Sequence, residues 1–397
     1  MSKQHLFADR VSAMKQNAIR KTLPLIRQPG VVSFAGGWPD PALFPTEAIK
    51  EIVAHMMDTE PHIALQYGAS TGDPRLRRWL AERMQTRNGM EVGADQIMVT
   101  SGSQQGIFLT NALLIEAGDV IVTESPSFVG AYGSMQLFKS QRIGVEMDDD
   151  GLDTEKLEAL LKRQKVKYVY VIPDFQNPTG RTMSIARRRH LAELAEQYDF
   201  MILEDSPYSE LRYEGAHRPP IHAFDQHGRT IYLGSFSKTF SPMRVGWLAA
   251  PTELVQKMTP VKQSIDTNTS ALAQALVYHF CERGLLDGQI AKINAAYKRK
   301  RDVMFATFDR YMPSEVSWTS PEGGMFAWLS LPTHMDASEV FLKGIDAKVA
   351  VVAGNGFYPD EALGPKNEMR INWVSPTEQQ IHDGMRTLAE VIRKAMA

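Results

Sequence analysis

Lys238 stands in "GSFSKTFSPMRVGW" (234–247) between hydroxyl residues, with Arg244 shortly after it and the apolar run "TIYLG" just before. A lysine at the end of a buried run is partly stripped of water, which favours the neutral, nucleophilic amine. Hydroxyls and an arginine beside it suit an anion such as a phosphate. Similar residues follow other apolar runs. "QIMVT" leads into "SGSQQG", which opens a helical pattern whose free backbone N–H groups attract an anion. "DVIVTE" leads into "SPSF" with Phe128, "KYVYVIP" into "DFQNPTG" with Asn177, and "FMILE" into Asp205 and Tyr208. Taken singly, each has an ordinary reading as a cap, a turn or core packing.

The runs that carry these residues read as strands at 96–100, 119–124, 141–147, 167–173 and 200–205. Helical patterns at Gln104–Ile115, 153–164 and 184–198 separate them. Long helical connections predict a mostly parallel sheet covered by helices on both faces, with ligands at the carboxyl ends of the strands. "VGWLAA" reads as one more strand, which puts Lys238 in a loop at the sheet rim. The pattern changes near residue 290. A long helix through "NAAYKRKRDVMFATFDRYM" precedes short strands in "VSWT" and "GMFAWLSL", a helix in "SEVFLKGIDAK", strands in "VAVVAG" and "EMRINW", and a last helix over 376–397. The expected fold class is α/β: an N-terminal helix and arm over 1–45, a large domain over 46–290, and a smaller α+β domain over 291–397.

The bulk composition narrows the function. A chain of 397 residues exceeds one small core. A net charge of -2 gives no reason to expect nucleic acid or an acidic membrane as partner. Cys281 is the only cysteine, so no intramolecular disulfide forms and a reducing compartment is the default. The N-terminus lacks a signal-like apolar core and no stretch is long and apolar enough to span a bilayer, so a cytoplasmic protein is expected. The histidines show no metal-like spacing, so no metal is expected. Neither a phosphate loop with G-x-x-x-x-G-K nor a G-x-S-x-G elbow occurs.

The residues after the strands describe one ligand when taken together. Hydroxyls, helix N–H groups and an arginine hold a phosphate, and an aromatic stacks on a flat ring. A buried carboxylate keeps a ring nitrogen protonated, an amide and a phenol bind a ring oxygen, and a lysine condenses with an aldehyde. Pyridoxal 5′-phosphate has all of these groups.

In these motifs the chain resembles the fold type I pyridoxal-phosphate enzymes, and among them the class I/II aminotransferases. The resemblance runs from "VVSFAGGWPDPALFP" through "LQYGASTGDPRLRRWL", "SGSQQGI", "PDFQNPTG", "EDSPYSEL" and "SFSKTFSPMRVGW" to "EMRINW". It is nearest the 2-aminoadipate (glutamate-type) branch. It implies Lys238 as the catalytic lysine joined to the cofactor aldehyde and Asp205 as the partner of the ring nitrogen. Asn177 and Tyr208 would meet the ring hydroxyl and Phe128 would stack on the ring. Gly102, Ser103, Gln104, Ser235, Ser237 and Arg244 would hold the phosphate. Arg370 in "NEMRINW" would grip the substrate α-carboxylate, and Gly37 would let backbone approach the substrate. Tyr67 would reach the neighbouring subunit's phosphate, making the enzyme a homodimer with shared sites. Family members often show a cis bond where this chain has Asn177–Pro178. One departure stands out: relatives commonly carry P-G-x-R, whereas here Met243 alone separates Pro242 from Arg244.

The implied activity moves an amino group from an amino acid to a 2-oxo acid such as 2-oxoglutarate by a ping-pong mechanism. Arg20 occupies the place of an N-terminal-helix arginine that binds acidic side chains in the 2-aminoadipate branch. Trp38 has two readings, a wall of a pocket for aromatic or bulky aliphatic donors, or packing. Other reactions on the same scaffold (β-lyase, decarboxylase, racemase) remain open. So does a non-catalytic regulatory domain, though only about thirty residues precede "SFAGG", too few for a small DNA-binding domain.

Overall fold

The computed structural model describes residues 3–12, 14, 24–26, 28–240 and 243–396. Its first strands are β1 (Val32–Ser33), β2 (Ile97–Thr100), β3 (Val120–Ser125), β4 (Gln141–Asp148), β5 (Gly151–Leu152), β6 (Tyr168–Val171) and β7 (Met201–Asp205). There follow β8 (Thr230–Ser235), β9 (Gly246–Ala249), β10 (Ser317–Trp318), β11 (Phe326–Ser330), β12 (Val349–Ala350), β13 (Val352–Ala353) and β14 (Glu368–Asn372).

The larger sheet is eight-stranded, in the order β2-β9-β8-β7-β6-β3-β4-β5. β8, β7, β6, β3 and β4 run parallel, while β9 lies antiparallel between β2 and β8, and β5 closes the far edge. β2, β6 and β8 are buried at every position, which is why their sequences are nearly continuous apolar runs. Helices Ser103–Leu114, Val129–Leu137, Thr154–Leu161 and Ile185–Gln197 make the crossovers. Local chemistry sets where they start. The Asp153 carboxylate accepts from the backbone N–H groups of Glu155 and Lys156, and the Ser184 hydroxyl from that of Arg187.

A four-stranded antiparallel sheet, β10-β11-β14-β13, forms a second layer. Helices Leu285–Tyr311 and Glu378–Met396 pack against each other beside it. The change of pattern read near residue 290 falls inside the first of these helices. "VAVVAG" divides between two sheets: β12 pairs parallel with β1, and β13 pairs antiparallel with β14. The chain from β1 onward docks here as well. Asn372 N–H donates to Phe34 O at 2.8 Å. Lys300 Nζ, buried, donates to Asp40 Oδ2 and Val374 O, each at 2.7 Å.

Candidate active site

The site lies at the carboxyl ends of β2, β3, β6, β7 and β8, where the chain turns between sheet and helices. After β8, Phe236 and Phe240 bury their rings in a core cluster on either side of Lys238 and fix the turn. Lys238 Nζ donates to the Gly37 carbonyl at 2.7 Å. Burial, reinforced by Arg370 and Arg244, pushes the ammonium pKa down to about 8, against a smaller opposing pull from Asp205. About a tenth of the amine is thus neutral at pH 7, far more than for an ordinary lysine.

Asp205 ends β7 and is buried. Its Oδ2 accepts from the Tyr170 hydroxyl at 2.8 Å, while Oδ1 is buried with no partner. Burial raises its pKa to about 6, with Tyr170 and Lys238 pulling the other way. An orphaned carboxylate oxygen needs a donor, and the protonated nitrogen of a pyridine ring is one.

The anion corner forms where β2 gives way to helix Ser103–Leu114. Gly102 has φ +77° there, a conformation glycine accepts at no steric cost. A side chain on it would collide with the Arg244 guanidinium, which donates from Nη2 to Ser101 O at 3.1 Å. The short spacing after Pro242 therefore still brings Arg244 to the helix start; Pro242 itself lies outside the described residues. Arg244 takes φ +62°, an uncommon conformation for a residue with a side chain. Ser237 N–H donates to Ser235 Oγ at 3.1 Å, and Ser237 Oγ is a second buried orphan. Gln104 Nε2 donates to Gly130 O at 2.9 Å, and the Phe128 ring covers the same glycine. Behind the turn, Ser101 Oγ and Gln105 Nε2 donate to Asp266 Oδ2 at 3.0 and 2.8 Å, and buried Lys262 neutralises that carboxylate. A cavity of about 1170 Å³ opens beside Gln104 and Gly130, bounded also by Tyr132, Arg142 and Tyr358.

Arg370 comes from the other sheet, in the middle of β14. It is buried between the rings of Phe326 (4.3 Å to the centroid) and Phe357 (4.9 Å). Nη1 donates to Asn177 Oδ1 at 2.8 Å and Nη2 to Ala35 O at 2.6 Å, while Nε has no partner. Desolvation lowers its pKa to about 10, so it stays charged with N–H groups to spare for a carboxylate. Asn177 Nδ2 donates to the Tyr208 hydroxyl at 3.2 Å, and the Asn177–Pro178 bond is cis, as is Ser125–Pro126. A side chain on Gly37 would press on the Phe326 ring.

Lys238 and Gly37, and Asn177, Tyr208 and Arg370, are thus joined by contacts around the Phe326 ring. Asp205 lies near enough to Lys238 to influence its charge, and Gly102, Ser103, Gln104, Phe128, Ser235, Ser237 and Arg244 stand along the same rim. Tyr67 stands apart on this chain, with 82% of its surface exposed. Arg20 lies outside the described residues. Trp38 is half exposed and packs over Gly36. Sequence reasoning passed over Tyr170, Gln176, Phe326 and Phe357. Tyr170 and Phe326 read as core strand residues whose partners only the register of neighbouring strands shows, while Gln176 and Phe357 lie outside the strands, in segments whose path brings them to the site. The Ala35 and Gly37 carbonyls carry no side-chain signal at all.

Two buried orphans, a glycine cradle at a helix start and an enclosed amine fit pyridoxal 5′-phosphate. The family model for aminotransferases of class I and II matches residues 41–388, and the chain belongs to that family. It is 41% identical over 396 residues to an aromatic-amino-acid aminotransferase of Thermococcus litoralis, covering 98% of this chain and 94% of the relative. A multiple substrate aminotransferase from Thermococcus profundus superimposes with a TM-score of 0.96 at 40% identity, covering 100% of this chain and 99% of that one. An alpha-aminoadipate aminotransferase from Thermus thermophilus, complexed with a phosphopyridoxyl-leucine, gives 0.92 at 31% identity, covering 100% and 99%. The protein is a pyridoxal-phosphate-dependent transaminase of fold type I. Among the described residues no helix is long and apolar enough to cross a membrane.

Proposed function

We propose that this chain moves an amino group from an α-amino acid to a 2-oxo acid such as 2-oxoglutarate in two half-reactions at one site. The donors in this reading are 2-aminoadipate, glutamate and aromatic or branched-chain amino acids. The relatives' names support that range, since they span aromatic, multiple and aminoadipate substrates. The observation that carries the reading is Lys238 Nζ, enclosed and influenced by both Arg370 and Asp205.

Arg370 takes the substrate α-carboxylate through the N–H groups it does not spend on Asn177 and Ala35. Orientation follows, because a planar guanidinium fixes a carboxylate in direction as well as distance. Pyridoxal 5′-phosphate supplies an aldehyde that accepts the amino group and a ring that spreads the charge left when the Cα proton departs. Asp205 Oδ1 would hold the proton on the ring nitrogen, Asn177 and Tyr208 would meet the ring hydroxyl, and Phe128 would stack on the ring. Gly102, Ser103, Gln104, Ser235, Ser237 and Arg244 would hold the phosphate, joined by Tyr67 of a second copy in a homodimer. Lys238 Nζ, its pKa near 8, would take the proton from Cα as general base and deliver it as general acid to the cofactor carbon that bore the aldehyde, rather than back to Cα.

Titrating the enzyme with single amino acids tests this. A donor should shift the visible absorbance of the bound cofactor, and 2-oxoglutarate should restore it. Loss of the band with no return on adding a 2-oxo acid would assign the chemistry to a lyase, decarboxylase or racemase. Lys238→Ala should abolish both the band and turnover.

A further inference from the structure

Gln176 precedes Asn177 and exposes 1% of its surface. All four hydrogen-bonding positions of its amide are filled. Nε2 donates to Glu124 Oε2 and to Pro126 O, each at 2.9 Å. Oε1 accepts from Thr179 N–H at 2.9 Å and from Thr179 Oγ1 at 2.8 Å. No donor or acceptor is left for a ligand. The side chain instead ties two loops together, and each loop leads to one side of the Arg370 guanidinium. Through the 176–180 loop it reaches Asn177, whose Oδ1 accepts from Arg370 Nη1. Through Pro126 it reaches Ser127, whose N–H donates to Phe357 O at 2.8 Å, and the Phe357 ring faces Arg370. The same 176–180 loop meets the second sheet at its far end, where Thr319 Oγ1 donates to Thr179 O at 2.7 Å.

We infer that Gln176 is a positioning residue for substrate-carboxylate binding: it sets both the hydrogen-bond partner and one aromatic wall of Arg370. The inference rests on the reading of Arg370 as the carboxylate grip. Glutamine is required because Glu124 and the Pro126 carbonyl both accept; a glutamate at 176 would place oxygen against oxygen, and an apolar residue would leave buried polar groups unpaired. Burial raises the Glu124 pKa to about 8, consistent with a carboxyl serving here by geometry rather than charge.

The test uses cofactor-loaded enzyme and 3-phenylpropionate, which offers a carboxylate without the reacting amino group. Calorimetric Kd, Tm, cofactor affinity and the split between kcat and KM are measured for wild type, Gln176→Met and Arg370→Lys. Gln176→Met should weaken 3-phenylpropionate by about tenfold and raise KM in step, with kcat within about twofold and cofactor affinity unchanged. A lower Tm with an unchanged Kd would overturn the inference, since a merely structural glutamine behaves that way. If Arg370→Lys also binds as wild type, the reading of Arg370 fails and this inference fails with it. If Gln176→Met does not fold, Thr179→Val decides. It removes one of the two hydrogen bonds into Gln176 Oε1 and should weaken binding by about threefold; no change would overturn the inference.

Discussion

Asp205 makes the cofactor-free protein less stable than it need be, and the size of that cost follows from its burial. The carboxyl titrates at about 6 in the fold against an ordinary 3.8, mainly because it is enclosed. Between those values the folded state binds more protons than the unfolded state, so stability falls as pH rises through the window. The difference amounts to roughly 3 kcal/mol above pH 7 and about half of that at pH 5. Asp205→Asn removes the charge, and the amide oxygen still accepts from Tyr170. With an unfolding entropy of about 2.1 cal/mol/K per residue over 397 residues, 3 kcal/mol corresponds to a Tm increase of roughly 4 °C. Scanning calorimetry on cofactor-stripped wild type and variant at pH 8 and pH 5 should show the gain at pH 8 and about half of it at pH 5. Adding pyridoxal 5′-phosphate should reverse the order, because only the carboxylate partners the ring nitrogen. Equal Tm values at pH 8, or the same gain at both pH values, would refute the account of Asp205 as a strained, waiting acceptor.

Two further outcomes are expected. Mixing Lys238→Ala subunits with Tyr67→Ala subunits should restore activity, because each mixed dimer then holds one site with both residues; continued inactivity of verified mixed dimers would confine Tyr67 to its own subunit. Arg20→Ala should raise KM for glutamate and 2-aminoadipate while sparing phenylalanine, and an equal loss for all three in steady-state assays would remove Arg20 from the pocket.

The alternation of apolar runs and helical patterns made the parallel sheet legible, and with it the rim where Lys238, Asp205 and Asn177 gather. Those residues stand at strand ends, where a side chain's sequence neighbours already say which edge it faces. Tyr170 was not legible, because a phenol within "KYVYVIP" looks like any buried strand residue. Its hydroxyl acquires a task only when β7 pairs beside β6 and brings Asp205 across. "VAVVAG" read as one strand for a similar reason, since hydrophobicity marks burial and not the sheet that does the burying. The reversed β9 also left no trace in its own residues. Its direction follows from the short connection after Lys238, which is too brief for a crossover helix.

Arg370 donates to a carbonyl 335 positions earlier in the chain, and Lys238 to one 201 positions earlier. Segments far apart in the chain therefore close the site between them. During synthesis Ala35 leaves the ribosome well before β14 and waits until that strand has followed it. Contacts of such long range form late in folding, after the loop-closure entropy has been met. A truncated or half-folded chain can hold much of the large sheet yet lacks the carboxylate-binding corner. Tight binding of an amino acid is in that sense a certificate that β14 has found the segment around Ala35.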